Sequence, residues 1–132
     1  ITGVAKLFAQ TMLPIFGHNP HTFIAGLFII TLLITEVITN NAAALLVFPI
    51  ALETMRLSGY VGSHSLKAVA VTVALGASCS FLTPIGYQTN TIVYGPGGYK
   101  FTDYFKVGWP LTCLVVLLVS FLVPKIWPMT QA

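Results

Sequence analysis

Two short polar stretches interrupt an otherwise apolar chain, and they hold the residues best suited to binding ions. The first is Thr39-Asn40-Asn41, set between two apolar arms. The second runs from Thr83 to Asn90 and reads Thr-Pro-Ile-Gly-Tyr-Gln-Thr-Asn. It lies in a region, Ala68 to Tyr99, without a single Asp, Glu, Lys or Arg. An asparagine carboxamide offers both an acceptor oxygen and N–H donors, and a hydroxyl can play either part. At a break between helices these side chains are joined by free backbone groups. Carbonyls at a helix C-terminus suit a desolvated cation, and N–H groups at an N-terminus suit an anion. No Ser/His/Asp or Cys/His constellation stands out, so the chemistry on offer is ion binding and the chain is not expected to be an enzyme.

The elements that must carry these stretches are apolar. Of 132 residues, 56% are hydrophobic and only 7% charged, where soluble domains carry about 25% charged residues. So few charges could not cover a soluble surface of this size, so the class is integral membrane, with the lipid bilayer as solvent. The net charge of +3 is scattered over Lys6, Arg56, Lys67, Lys100, Lys106 and Lys125. Without a basic cluster, nucleic acid is not a partner. The chain begins at Ile1, shows no signal-peptide pattern, and reads as one membrane segment of a longer protein. Cys79 and Cys113 lie in apolar sequence and read as small buried hydrophobes.

The order of elements follows from the breaks. Residues 1–16 read as the tail of a broken helix or as an interfacial helix, ending in a turn over Gly17-His18-Asn19-Pro20. His21 to Ile38 is near the lower length limit for crossing ~30 Å of hydrocarbon. Ala42 to Leu57, with Pro49 near its middle, is shorter still. Residues 21–57 therefore read as a re-entrant helical hairpin with a polar tip; an ordinary water-facing loop between two spans is the alternative. Ser58 to Ser65 reads as a loop. Residues 66–98 read as a discontinuous helix, broken where Pro84 removes a donor and Gly86 frees the backbone, and closed by Gly95-Pro96-Gly97-Gly98. A polar connector over Tyr99 to Lys106 leads to the last span, 107–127, with Pro110 in its first turn, Trp109 and Trp127 at its ends, and Pro124 helping to stop it. Two interruptions in one short apolar chain point to a secondary-transporter binding site.

Glu36 lies four residues before Asn40 and is the one acid far from an obvious membrane edge. It reads as structural support for the hairpin tip, with cation ligation as the alternative. His18 and His21 spell His-x-x-His, but the chain has three histidines, too few for a membrane iron enzyme. Gly95 to Gly98 lacks the Gly-Lys-Ser/Thr that a phosphate loop needs.

Ala77-Ser78, Phe81, Pro84-Ile85-Gly86, Asn90 and Ile92-Val93, at this spacing, resemble the signature of the divalent anion:sodium symporters, the sodium/sulfate and sodium/dicarboxylate transporters. Thr35-Glu36 followed by Thr39-Asn40-Asn41-Ala42 resembles the Ser-Asn-Thr hairpin motif of the same family. The departure is Asn41, an amide where the family carries a hydroxyl, and it bears on the choice of anion, as do Tyr87 and Gln88.

The resemblance implies an all-α half of an inverted-repeat transporter, partnered by an N-terminal inverted repeat of the same protein, usually in a homodimer, in the plasma membrane. It implies Na⁺ as co-transported ion, with no organic cofactor, and a small divalent anion as cargo. On this reading Thr39, Asn40, Ser80 and Thr83 hold sodium, partly through backbone carbonyls. Thr39, Asn40, Asn41, Pro84, Gly86, Asn90 and Thr91 line the anion site. It also implies that the hairpin enters from outside, whereas the scattered basic residues slightly favour the opposite orientation. A non-transporting subunit or a channel-type pore with re-entrant loops is the rival reading.

Overall fold

The computed structural model describes residues 19–85 and 88–128, the backbone of 130 and 131, and isolated positions 3, 7, 10, 11 and 14. The expectations for residues 1–16 and for His18 therefore fall largely or wholly outside the described residues, as does Gly86.

Helix α1, Pro20–Thr35, opens with Asn19 as N-cap, whose side chain accepts from the His21 N–H at 3.0 Å, and with Pro20 where no N–H is needed. Phe23, Ile24, Leu27, Phe28, Thr31, Leu32 and Thr35 recur at helical spacing and are all buried. Helix α2, Asn40–Leu57, is capped by the Thr39 hydroxyl, which accepts from Ala42 N at 3.3 Å. Helix α3, Ser63–Ser78, buries Ser65, Ala68, Val69, Thr72, Val73, Gly76 and Ala77. This small-residue stripe lets it approach α1 closely: a Cβ on Gly76 would meet Thr31 Cβ at 2.9 Å and the Phe28 carbonyl oxygen at 3.2 Å. After the break come α4, Gln88–Tyr94, and α5, Phe101–Ile126. Helix α1 packs chiefly on α3 and α5, and α2 packs on α3. The core centres on Phe23, Phe28, Val47, Val69 and Tyr60, with the Phe23 and Tyr60 rings 5.3 Å apart.

Several boundaries differ from those read in the sequence. A two-residue ladder, β1 (Tyr60–Val61) against β2 (Thr130–Gln131), is added to an otherwise helical chain. Helix α3 starts at Ser63 and unwinds after Ser78, earlier at both ends than expected. The stretch over Tyr99 to Lys106 is mostly helix rather than connector, because the Lys100 N–H donates to the Asp103 side chain at 2.8 Å and starts α5 there. Trp109 and Pro110 thus lie inside α5, as does Pro124. Cys113 is exposed on α5, whereas Cys79 is buried. At 26 residues α5 is long and apolar enough to cross a membrane.

Pro124 explains a long-range contact. A proline has no N–H, so the Ser120 carbonyl four residues earlier loses its helical donor. The His21 ring fills the gap, its Nδ1 donating to Ser120 O at 2.7 Å, and ties the start of α1 to the end of α5. Replacing His21 with Phe keeps a ring beside Phe121 and removes the donor. A destabilisation of about 1 kcal/mol is expected, seen as a lower melting midpoint of the detergent-solubilised protein.

Candidate functional site

The site forms where the α1–α2 turn meets the unwound segment after α3. Glu36 joins the two. It is 5% exposed, and its carboxylate accepts from Leu82 N at 2.9 Å, from Thr83 N at 3.0 Å and from Thr83 Oγ1 at 2.8 Å. One carboxylate thus caps two backbone N–H groups that the broken helix left unpaired. Asn90 does the complementary work on the carbonyls: its Nδ2 donates to Ser80 O at 2.9 Å and to Thr83 O at 3.3 Å. Thr91 Oγ1 donates to Pro84 O at 2.6 Å.

Beside this brace lies a cluster of oxygens. Thr31, Thr54 and Thr72 each satisfy their hydroxyl on the carbonyl four residues back. Thr35 does not. Its Oγ1 lies 2.8 Å from Asn40 Oδ1, 2.7 Å from the Ala77 carbonyl oxygen and 3.4 Å from Ser80 Oγ. Ser80 Oγ is in turn 3.2 Å from Asn40 Oδ1. The Ala77 carbonyl is available because α3 ends before residue 81 could donate to it. Four uncharged oxygens share two hydroxyl protons, so the cluster is rich in acceptors. Hard-oxygen donor sets of this kind suit a small alkali or alkaline-earth cation.

Asn40 also lines a cavity of about 600 Å³ with Thr39, Asn41, Ile85, Gln88, Thr91 and Ile92. Among the described residues its wall is hydroxyls, carboxamides and two isoleucines, with no charged side chain. Cavity and oxygen cluster meet at one residue, Asn40.

The structure thus brings Thr39, Asn40, Asn41 and Thr91 to one cavity, and Asn40 and Ser80 to one cluster. Two of the expected sodium ligands stand apart from that cluster. Thr39 spends its hydroxyl on capping α2, and Thr83 turns its hydroxyl and N–H to Glu36. Pro84 and Asn90 do not line the cavity; Pro84 is buried and Asn90 is braced on backbone carbonyls. Sequence reasoning missed Thr35 and the Ala77 carbonyl as members of the cluster. The available signal was a threonine in the last turn of an apolar helix, beside a buried glutamate. It also missed Tyr104, whose hydroxyl donates to Asn90 O at 2.9 Å.

The chain is 39% identical over 127 residues to an uncharacterised transporter of Synechocystis, covering 96% of this chain and 20% of that protein. It is 35% identical over 124 residues to sodium/sulfate cotransporter 2 of Chlamydomonas reinhardtii, covering 92% and 14%. It is 31% identical over 129 residues to a sodium-dependent dicarboxylate transporter of Staphylococcus saprophyticus, covering 95% and 24%. The chain spans about a fifth of the length of the curated relatives it matches. These relatives are transporters, not enzymes, and the resemblance to the sodium/sulfate and sodium/dicarboxylate carriers holds along nearly the whole chain. The family model described as citrate transporter matches residues 1–129. With two polar breaks, one helix among the described residues long and apolar enough to span a membrane, and this match, the chain belongs to the citrate transporter family.

Proposed function

We propose that this chain supplies one half of the binding site of a sodium-coupled carrier, a symporter for a divalent anion such as sulfate or a dicarboxylate. The observation that carries the reading is the shared position of Asn40, in both the oxygen cluster and the cavity. Na⁺ is held by Thr35 Oγ1, Asn40 Oδ1, Ala77 O and Ser80 Oγ, with the hydroxyl protons turned outward. The anion sits in the adjacent cavity against the Asn40 and Asn41 amides, Thr39, Gln88 and Thr91. Glu36 acts as support, fixing the turn to the unwound segment, rather than as a ligand.

Coupling follows from electrostatics. Among the described residues no Lys or Arg lines the cavity, so none of them gives the anion a fixed counter-charge there. Opposite unit charges about 4 Å apart are worth ~4 kcal/mol at an effective dielectric of ~20, roughly a thousandfold in affinity. Sodium therefore binds first and makes the anion site. The remaining ligands come from an inverted repeat elsewhere in the same polypeptide, in a homodimer in the plasma membrane, and the 36–39 turn is the tip of a re-entrant hairpin. The inverted repeat, the homodimer and the plasma membrane rest on the family resemblance.

The test is uptake of radiolabelled sulfate, succinate and citrate by proteoliposomes holding the complete carrier. Accumulation against the anion gradient is expected only with an inward Na⁺ gradient. Uptake indifferent to Na⁺ would sink the coupling, and a conductance that no counter-gradient drives uphill would show a channel. Asn41 sets the cargo on this reading. Asn41→Thr is expected to shift the sulfate-to-succinate uptake ratio about fivefold, the worth of one hydrogen bond near 1 kcal/mol; an unchanged ratio removes Asn41 from selectivity.

A further inference from the structure

We infer that Gly108 of α5 is a positioning residue for the cation site: its missing side chain lets the α5 backbone hold residues 80–83 in the register that the oxygen cluster and Glu36 require. The inference rests on the sodium-coupled reading and adds to it an element that neither polar break contains.

Gly108 is buried against the unwound segment. A Cβ built on it would lie 2.6 Å from the Phe81 carbonyl carbon, closer still to that carbonyl's oxygen, and 3.2 Å from Leu82 N, where ordinary contact begins at 3.4 Å. All three neighbours are backbone atoms, so none can swing aside as a flexible side chain would. Gly108 has no steric need for glycine on its own helix. What requires it is the opposing chain.

Phe81 stands at the centre of the site's hydrogen bonding. Before it, Ser80 places Oγ 3.2 Å from Asn40 Oδ1 and its carbonyl 2.9 Å from the Asn90 amide. After it, Leu82 N and Thr83 N reach Glu36 at 2.9 and 3.0 Å. One turn earlier on α5, the Tyr104 hydroxyl holds Asn90 O at 2.9 Å. Helix α5 therefore grips the break at two points a turn apart, and a methyl at Gly108 pushes directly on the peptide between the two halves of the site. The segment must retreat by roughly 1 Å, a displacement that can cost about 10²-fold when it misplaces functional groups.

The test is Gly108→Ala in the complete carrier, reconstituted in proteoliposomes, with anion uptake followed against Na⁺ concentration. The half-saturating Na⁺ concentration is expected to rise about 10-fold or more, with the maximal rate at saturating Na⁺ within about twofold of the unaltered carrier. Unchanged half-saturation, or a loss confined to the maximal rate, overturns the inference. If G108A fails to insert, Tyr104→Phe decides: removing only the hydroxyl should raise half-saturating Na⁺ by about two- to fivefold, and no rise overturns it. Should the unaltered carrier show no Na⁺ dependence, the transport reading itself fails and this inference falls with it. A Na⁺-dependent carrier whose variants both match it rejects the role of α5 alone.

Discussion

Replacing Asn40 with alanine is expected to lower sodium-coupled uptake by about 100-fold or more while leaving the carrier in the membrane. Asn40 is the one residue common to the oxygen cluster and the cavity. On the proposed reading its loss removes a cation ligand and an anion-facing amide at once, each worth about 1.5–3 kcal/mol where a charge is involved. The fold loses little, because the Thr35 hydroxyl still reaches Ala77 O at 2.7 Å. Asn40→Asp separates the two roles. It keeps an oxygen in the cluster and adds a negative charge, so sodium should bind more tightly while the anion is repelled. Uptake in N40A equal to that of the unaltered carrier would remove the turn from the mechanism.

Replacing Glu36 with alanine is expected to destabilise the protein by about 3–5 kcal/mol, the largest stability effect of any substitution in the site. The carboxylate serves Leu82 N, Thr83 N and Thr83 Oγ1. Without it, the buried Leu82 N–H and the part-buried Thr83 N–H both lose this acceptor. Glutamine should recover little, since its NH₂ would face one of those N–H groups and two donors repel. The measurement is the melting midpoint of the detergent-solubilised carrier, taken with and without Na⁺. E36A should melt well below the unaltered carrier and lose the rise that sodium is expected to confer on the proposed reading. An unchanged midpoint would show that Glu36 does not brace the site.

The two breaks were legible in the sequence because polar residues and a proline in apolar sequence demand partners. Glu36 stood out for the same reason, as an acid with no water nearby. The helix starts at Asn19 and Thr39 follow from side chains that cap locally. The start of α5 was missed although its signal was local: Lys100 and Asp103 look like connector residues by charge, yet their spacing is that of a helix cap. The proline positions misled in the opposite way. Pro110 and Pro124 read as boundaries, but α5 runs through both, and at Pro124 the freed carbonyl finds its donor on a different helix.

The sequence by itself determined that this chain is a membrane element with two polar interruptions, and its motifs identified the family to which those interruptions belong. Which atoms meet was decided only by tertiary structure. Thr35 reaches Ala77 across 42 residues and Glu36 reaches Leu82 across 46. Those pairings depend on α1 and α3 closing to backbone contact at Gly76 and on α5 pressing the break at Gly108. A hydroxyl's partner is a matter of ångströms set by packing, whereas a propensity or a motif records only what a residue is able to do. Hence Thr83, a sodium ligand by the family resemblance, turns its hydroxyl to Glu36 in the fold, while Thr35, which the sequence shows only as the residue before Glu36 in the hairpin motif, stands in the cluster.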